Sequence, residues 1–298
     1  MSQKRVRHIL GLSGGKDSTA LAVLLHKVVP NLEYFFCDTG KELPETYAYL
    51  EKIEAQLRIK IKPLSAERDF DFWLALHDGY LPSPKRRWCT EQMKIKPLEK
   101  EFGGNDEVYS YIGIRADESR DGYLTTTGSN IIPVYPFRKQ QDNKASTVQA
   151  LEQLGIGLPF EPQGYNKADI LKLLEDFNIG LPDYYRWRSR SGCFFCFYQR
   201  KYEWVKLAEE HPDKFAEAVR YEQNHKDGRT YTWSQGETLE ELLARKDEII
   251  AEHEKALARH QSAAEKKKAN APDQALIQAL EEVLDEEDNS LPCLMCHL

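Results

Sequence analysis

The segment HILGLSGGKDSTALAVLL, residues 8–25, constrains this chain more than any other. His8 to Leu12 is an apolar run that reads as a short buried strand, and Thr19 to Leu25 reads as the start of a helix. Between them Ser13-Gly14-Gly15-Lys16-Asp17-Ser18 is a loop whose two glycines let the backbone come close to an anion. A helix N-terminus adds unpaired N–H groups and the positive end of a dipole. Lys16, Ser13 and Ser18 contribute side-chain donors. Together they make a phosphate cradle at the carboxyl end of a strand. The spacing is not that of a Walker loop, in which more residues separate the first glycine from the Gly-Lys pair.

The remaining sequence supports an α/β reading. Up to about residue 200, strand-like and helix-like segments alternate, the pattern of a doubly wound parallel sheet with helices on both faces. Leu32–Cys37, Ile59–Leu64, Val108–Ile114 and Ile131–Tyr135 read as further strands. Glu45–Leu57, Phe70–His77, Glu91–Phe102 (broken or kinked by Pro97) and Lys167–Phe177 read as helices. Beyond Cys196 the segments Tyr202–Tyr221 and Thr238–Gln261 predict charged, periodic helices, followed by a linker over about 262–273 and a short helix over Gln274–Leu284. The expected division is therefore 1–200 for a nucleotide-binding catalytic domain and 201–298 for a helical region ending in a CxxC tail.

Bulk properties narrow the classes. With 298 residues, 41% hydrophobic and 30% charged, the chain can bury a large core. No stretch approaches the ~18 apolar residues of a membrane span, so no membrane partner is expected. The basic N-terminus runs straight into the first strand and does not read as a signal peptide. The cytoplasm is the expected compartment, and there the six cysteines are reduced, metal-bound or redox-active. A net charge of −7 excludes a protein that coats nucleic acid by charge alone, though not a local basic groove.

Ligands of doubly wound sheets bind outside the carboxyl ends of the strands, where Asp38, Thr39, Gly40, Gly113 and Arg115 fall beside the loop. At Asp38 an Asx turn capping the next helix is the reading from the residues alone, and it leaves room for a ligand-binding role beside it. Arg115 suits a phosphate fork, with an ion pair to Glu118 as the alternative. Lys85-Arg86-Arg87-Trp88-Cys89 surrounds a thiol with cations, which favours the thiolate. Arg186-Trp187-Arg188-Ser189-Arg190-Ser191-Gly192-Cys193-Phe-Phe-Cys196 is a CxxC in an arginine-flanked loop, fit for metal ligation, dithiol redox work or sulfur relay. Cys37, inside a strand, reads as packing.

SGGKDS resembles the pyrophosphate loop of the PP-loop ATP pyrophosphatases, the adenine nucleotide alpha-hydrolase-like fold. Asp38-Thr39-Gly40 with Glu42, Glu45 and Thr46, and Gly113-Ile-Arg115 with Glu118-Ser119, resemble segments of the phosphoadenylylsulfate (PAPS) reductase branch. RWCT with Lys94, Ile95 and Pro97, together with RSGCxxC, resembles the reductase-like ATPases of DNA phosphorothioation systems. These resemblances imply ATP and Mg²⁺ at Ser13, Gly14, Gly15, Lys16, Asp17, Ser18, Thr19, Asp38, Thr39, Gly40, Gly113 and Arg115. Lys16, Asp17, Asp38, Arg115 and Cys89 would be catalytic. A [4Fe–4S] cluster would sit on Cys89, Cys193 and Cys196, with Cys293 or Cys296 as a further ligand. DNA, a cysteine desulfurase and other modification subunits would be the partners, with the DNA backbone near 85–88 and 186–190. The chain lacks the Glu-Cys-Gly-Leu-His ending of thiol-type sulfonucleotide reductases, and Cys89 has no adjacent cysteine.

Overall fold

Short apolar runs become parallel strands because both of their faces are covered. In β1 (Val6–Gly11) Ile9 and Leu10 point to opposite sides, and each is fully buried. β2 (Leu32–Asp38) repeats the alternation, with Tyr34 and Phe36 on one face and Phe35 and Cys37 on the other. The computed structural model describes residues 4–119, 129–223 and 230–267. With β3 (Ile61–Ser65), β4 (Glu107–Tyr111) and β5 (Ile131–Val134), these strands form a five-stranded sheet in the order β3-β2-β1-β4-β5. Every pairing is parallel, with His8 level with Leu32 on one side and Tyr109 on the other. The strand order reverses at β1, so the crevice beyond β1 and β4 is the topological switch point where ligands of such sheets sit.

Helices α1 (Lys16–Leu25), α2 (Pro44–Leu57), α6 (Ala145–Gln153) and α7 (Lys167–Asp176) cover one face, and α5 (Lys96–Phe102) covers the other. α3 (Phe70–Leu76) and the single turn α4 (Trp88–Thr90) lie between the sheet and the later helices. α2 starts on Pro44, whose missing N–H costs nothing in a first turn. α7 has a capping box of Asn166 and Asp169.

Several boundaries differ from the sequence expectation. The stretch 91–102 does not break at Pro97; a π-turn over Glu91–Ile95 lets the Lys96 N–H reach Glu91 O, and Pro97 then sits in the first turn of α5. The single helix expected over 202–221 is two, α8 (Lys201–Glu210) and α9 (Pro212–Gln223), because Pro212 restricts His211 and opens a new helix. Thr238–Gln261 likewise divides at Arg245 into α10 (Leu239–Ala244) and α11 (Lys246–Lys267). The linker expected over 262–273 is helical as far as Lys267, where alanine, glutamate and lysine favour continuation. The expected helix over 274–284 lies outside the described residues.

A second core joins the later helices to the site. Phe70, Trp88, Trp187, Phe195, Trp204 and Trp233 pack together, with Phe195 stacked on Trp233 at 5.0 Å and against Phe70 at 4.4 Å. A cut at residue 200 passes through this core. Trp204 is fully buried within it, so Trp204→Ala is expected to cost about 3–5 kcal/mol. Denaturant unfolding should show that loss in the same transition that melts the sheet. On the surface, Arg245 donates two bonds to Glu237 at 2.8 and 2.9 Å and Lys201 a third contact at 2.6 Å. Arg245 pairing, against a smaller opposing burial effect, holds the Glu237 carboxyl at about 2, below its ordinary 4.5. Its contribution is therefore complete above pH 4.5 and lost as pH falls through about 2. Glu237→Gln should lower stability by under ~1 kcal/mol at neutral pH, and the difference from the unaltered chain should vanish in strong acid.

Candidate functional site

Three glycines bring three elements into contact at the switch point. Gly14 has φ +75°, and a Cβ there would stand 2.7 Å from Thr46 Cγ2 on α2. At Gly15 a Cβ would meet Ser191 Oγ at 2.8 Å, and at Gly113 it would meet the Asp17 carbonyl at 3.1 Å. Ser13 N–H donates to Ser18 Oγ at 3.2 Å, and Ser18 Oγ donates to Gly15 O, closing the loop on itself. Thr46 Oγ1 is buried against this loop with no hydrogen-bond partner among the described residues. Nor does any described hydrogen bond use the N–H of Gly14 or Gly15. Orphaned donors around a cradle that a side chain would fill are what a phosphate-binding turn requires.

The charges are buried and mutually balanced. Lys16 Nζ is 3.4 Å from Asp17 Oδ2, and Arg115 Nη1 donates to Asp17 Oδ1 at 2.8 Å. Arg115 also pairs with Glu118 through Nη1 and with Asp117 through Nε, each at 2.8 Å. Burial alone would lower the pKa of both cations, yet the carboxylates, Asp17 foremost, raise them above their ordinary values. Arg115 stands beside the loop and makes the ion pair with Glu118 that is the alternative to a phosphate fork, with Asp17 and Asp117 as further partners. Asp38 Oδ1 accepts from Gly40 N–H at 2.9 Å and Tyr47 OH at 2.8 Å, which is the Asx turn. Thr39 Oγ1 donates to Glu42 Oε1 at 2.8 Å, and burial raises the Glu42 pKa. Lys41 ties this turn to α3 and α9 through Asp71 at 3.0 Å, Glu217 at 2.7 Å and Tyr221 at 2.8 Å.

One segment, residues 184–196, lies across the loop. Tyr184 OH donates to Gly14 O at 2.7 Å, Lys16 N–H donates to Tyr185 OH at 3.2 Å, and Ser191 Oγ donates to Ser13 Oγ at 3.1 Å. It then brings Cys193 Sγ to 3.2 Å from Thr39 Oγ1 and 3.7 Å from Glu42 Oε1. Cys196 N–H donates to Cys193 O at 3.1 Å, so the CxxC is one tight turn, and Cys89 is near enough for its charge to act on Cys193. Burial pushes the Cys193 thiol far up and Cys37 up to about 12. Among the described residues no three His, Cys, Asp or Glu side chains converge on a single metal ion. Cys293 and Cys296 lie outside the described residues.

The two basic segments meet around one ring: Arg87 lies 6.0 Å and Arg190 4.8 Å from the centroid of Tyr198. Arg188, expected to face DNA, is instead 2% exposed and donates to Gly192 O at 3.0 Å and Cys193 O at 2.6 Å. It shapes the cysteine turn because its guanidinium satisfies carbonyls that the turn leaves free. Sequence reasoning missed Tyr184, Tyr185 and Tyr198. It also missed Glu203, whose carboxylate accepts from Ser189 N–H at 2.7 Å and anchors the segment to α8. The pair Tyr184-Tyr185 directly before RWRSRSGC was the available signal.

Residues 7–128 match the family model of the phosphoadenosine phosphosulfate reductase domain. An uncharacterized protein of Methanocaldococcus jannaschii is 37% identical over 114 residues, 37% of this chain and 23% of that protein. The adenosine 5'-phosphosulfate reductase of Streptomyces coelicolor is 28% identical over 113 residues, 36% of this chain and 45% of the enzyme. The chain thus spans less than half the length of either curated relative. A solved U34-tRNA thiolase of Methanococcus maripaludis with its [4Fe-4S] cluster aligns over 81% of both chains at 15% identity and a TM-score of 0.29. No helix among the described residues is long and apolar enough to cross a membrane.

Two substitutions test the site's construction. Gly14→Ala combines a strained φ with a clash against Thr46 and should destabilise by about 1–3 kcal/mol. Arg115→Ala removes one of the two cations beside the buried Asp17 carboxylate and should cost about 3–5 kcal/mol. Denaturant midpoints measure both.

Proposed function

We propose that this chain is an ATP pyrophosphatase that adenylates a phosphate oxygen for sulfur transfer, with the DNA backbone as acceptor. The observation that carries the reading is a phosphate cradle in direct contact with the segment that bears a cysteine turn: Ser191, two residues before Cys193, donates to Ser13. Lys16 and the loop N–H groups would hold the pyrophosphate as it leaves, where charge builds on its oxygens. Asp17 and Asp38 are the carboxylates that would hold Mg²⁺, which takes one or two carboxylates and completes its shell with phosphate and water. Adenylation forms a bond from the acceptor oxygen to the α-phosphorus and breaks the α–β bond, releasing pyrophosphate. Sulfide then attacks the acceptor phosphorus and AMP leaves with the oxygen; a persulfide makes the same displacement, and a second thiol then cleaves the remaining S–S bond, forming a disulfide with the carrier cysteine and leaving the sulfur on phosphorus.

The thiols fit an iron–sulfur centre in donor type: Cys89, Cys193 and Cys196 are partly buried soft ligands, and Cys193 and Cys196 share one tight turn. Such a cluster would supply sulfur binding at an open iron. Sulfur would come from a cysteine desulfurase, acting with other modification subunits, and the exposed Lys85 and Arg86 would face the DNA backbone.

A second reading, reduction of adenylylsulfate or its 3′-phosphate, is favoured by the domain match over 7–128 and uses the same cradle. A tRNA in place of DNA would leave the adenylation step unchanged. The readings separate on products. Purified protein with Mg·ATP, DNA and a desulfurase should release pyrophosphate, and Lys16→Ala should abolish it by at least ~100-fold, the usual scale for removing a transition-state charge partner. Sulfite release from labelled phosphoadenylylsulfate, without pyrophosphate from ATP, would establish the reductase instead.

A further inference from the structure

The outer face of α3 and the loop after it carries aromatic rings capped by cations. Phe72 is 43% exposed and Leu76 61% exposed, one helical turn apart. Arg68 lies 5.1 Å from the centroid of Phe72, Lys96 5.8 Å from that of Trp73, and Arg86 4.9 Å from that of Tyr80. Tyr80 packs edge-on against Tyr231 at 4.8 Å. The carboxylates of this face are already engaged. Asp71 is held by Lys41, Glu67 by Lys100 at 2.7 Å and Glu91 by Lys96 at 3.6 Å, while Asp69 caps the helix by accepting from Phe72 N–H. Among the described residues the carboxylate whose charge interacts with Arg68 is Glu67, which is held more directly by Lys100.

We propose that this face is a stacking platform for single-stranded nucleic acid. An exposed ring with a cation beside it offers an unpaired base a π-face and the adjoining phosphate a counter-charge. A duplex cannot use the rings, because its bases are already stacked. The platform is rigidly connected to the cysteine site: His77 stacks on Trp88 at 4.9 Å, Trp88 stacks on Phe70 at 5.1 Å, and Cys89 follows Trp88 in the chain. This deepens the reading above and rests on it only for the nature of the acceptor; binding itself needs no chemistry.

Fluorescence anisotropy of a labelled twenty-nucleotide oligothymidylate, at two salt concentrations, tests the proposal on the full chain. Binding should weaken as salt rises and exceed binding of a duplex of the same length. Phe72→Ala should weaken it about 5- to 100-fold, the scale of one lost base–aromatic stack, and Arg68→Gln should reduce the salt dependence. Both residues are surface-exposed, and unchanged thermal melting of the variants confirms their folding. Equal or tighter duplex binding, or an oligothymidylate affinity indifferent to Phe72→Ala, overturns the platform. So does an absence of binding; self-association relieved by Phe72→Ala and Leu76→Ala would then assign the face to a second copy of the chain. Pyrophosphate release is measured separately, so strand binding without ATP turnover retains the platform and rejects the adenylation reading.

Discussion

The carboxylate of Asp17, in the first turn of α1 between Lys16 and Arg115, is the constraint on which the site depends. It is almost wholly buried, and so are both cations. Charges cannot remain in such a place singly, because desolvation costs several kcal/mol per ion. Arg115 extends past the end of β4 to meet Asp17, and Glu118 and Asp117 complete its pairing. This requires β4 to approach the start of α1 closely, and Gly113 is the residue that permits it. Formally the group holds two positive and three negative charges, a net of −1. A polyphosphate entering this crevice adds more negative charge, so Lys16 and backbone N–H groups alone cannot neutralise it. That shortfall is the physical case for a divalent cation in the proposed reaction.

Segment 184–196 depends in turn on helices beyond residue 200. Glu203 in α8 holds Ser189, and Lys41 reaches Glu217 and Tyr221 in α9 while its carbonyl accepts from Phe194 N–H at 2.8 Å. The turn that carries Cys193 is therefore positioned from two sides, by the loop after β2 and by α8. His211, at the junction of α8 and α9, contacts Glu45 of α2 at 2.8 Å. These helices share the site's core and supply its supports, so they are part of the catalytic architecture proposed here.

What could be read from sequence was what local chemistry determines. The strands were legible because apolar runs buried on both faces need no partner to announce them, and the SGGKDS loop because glycine, lysine and serine state their use in place. Arg188 was not legible: nothing in RWRSRSGC distinguishes an arginine that caps a turn from one that faces a phosphate. Arg115 was half legible, since Glu118 is near in sequence while Asp17 is not. The helix break at Pro212 was written in the sequence, but the amphipathic period runs across it and masked the proline. Tyr184 and Tyr185 escaped because buried aromatics are usually core, and only the fold shows their hydroxyls turned onto the loop.

Those two hydroxyls bear on how the parts of the site communicate. Tyr185 accepts the N–H of Lys16, one of the donors a phosphate would use, and Lys16 Nζ lies 5.4 Å from the Tyr185 ring. An anion that takes this N–H must displace the Tyr185 hydroxyl, and Tyr185 is continuous with the chain leading to Ser191 and Cys193. The displaced hydroxyl is part-buried, so it needs a new partner or must move outward. Either response strains the segment that Tyr184 and Ser191 hold against the loop. Cores this closely packed transmit such shifts instead of absorbing them. On the proposed function, occupancy of the cradle would act on the cysteine turn through one short stretch of backbone. An enzyme that must activate an acceptor before sulfur is released has use for that coupling.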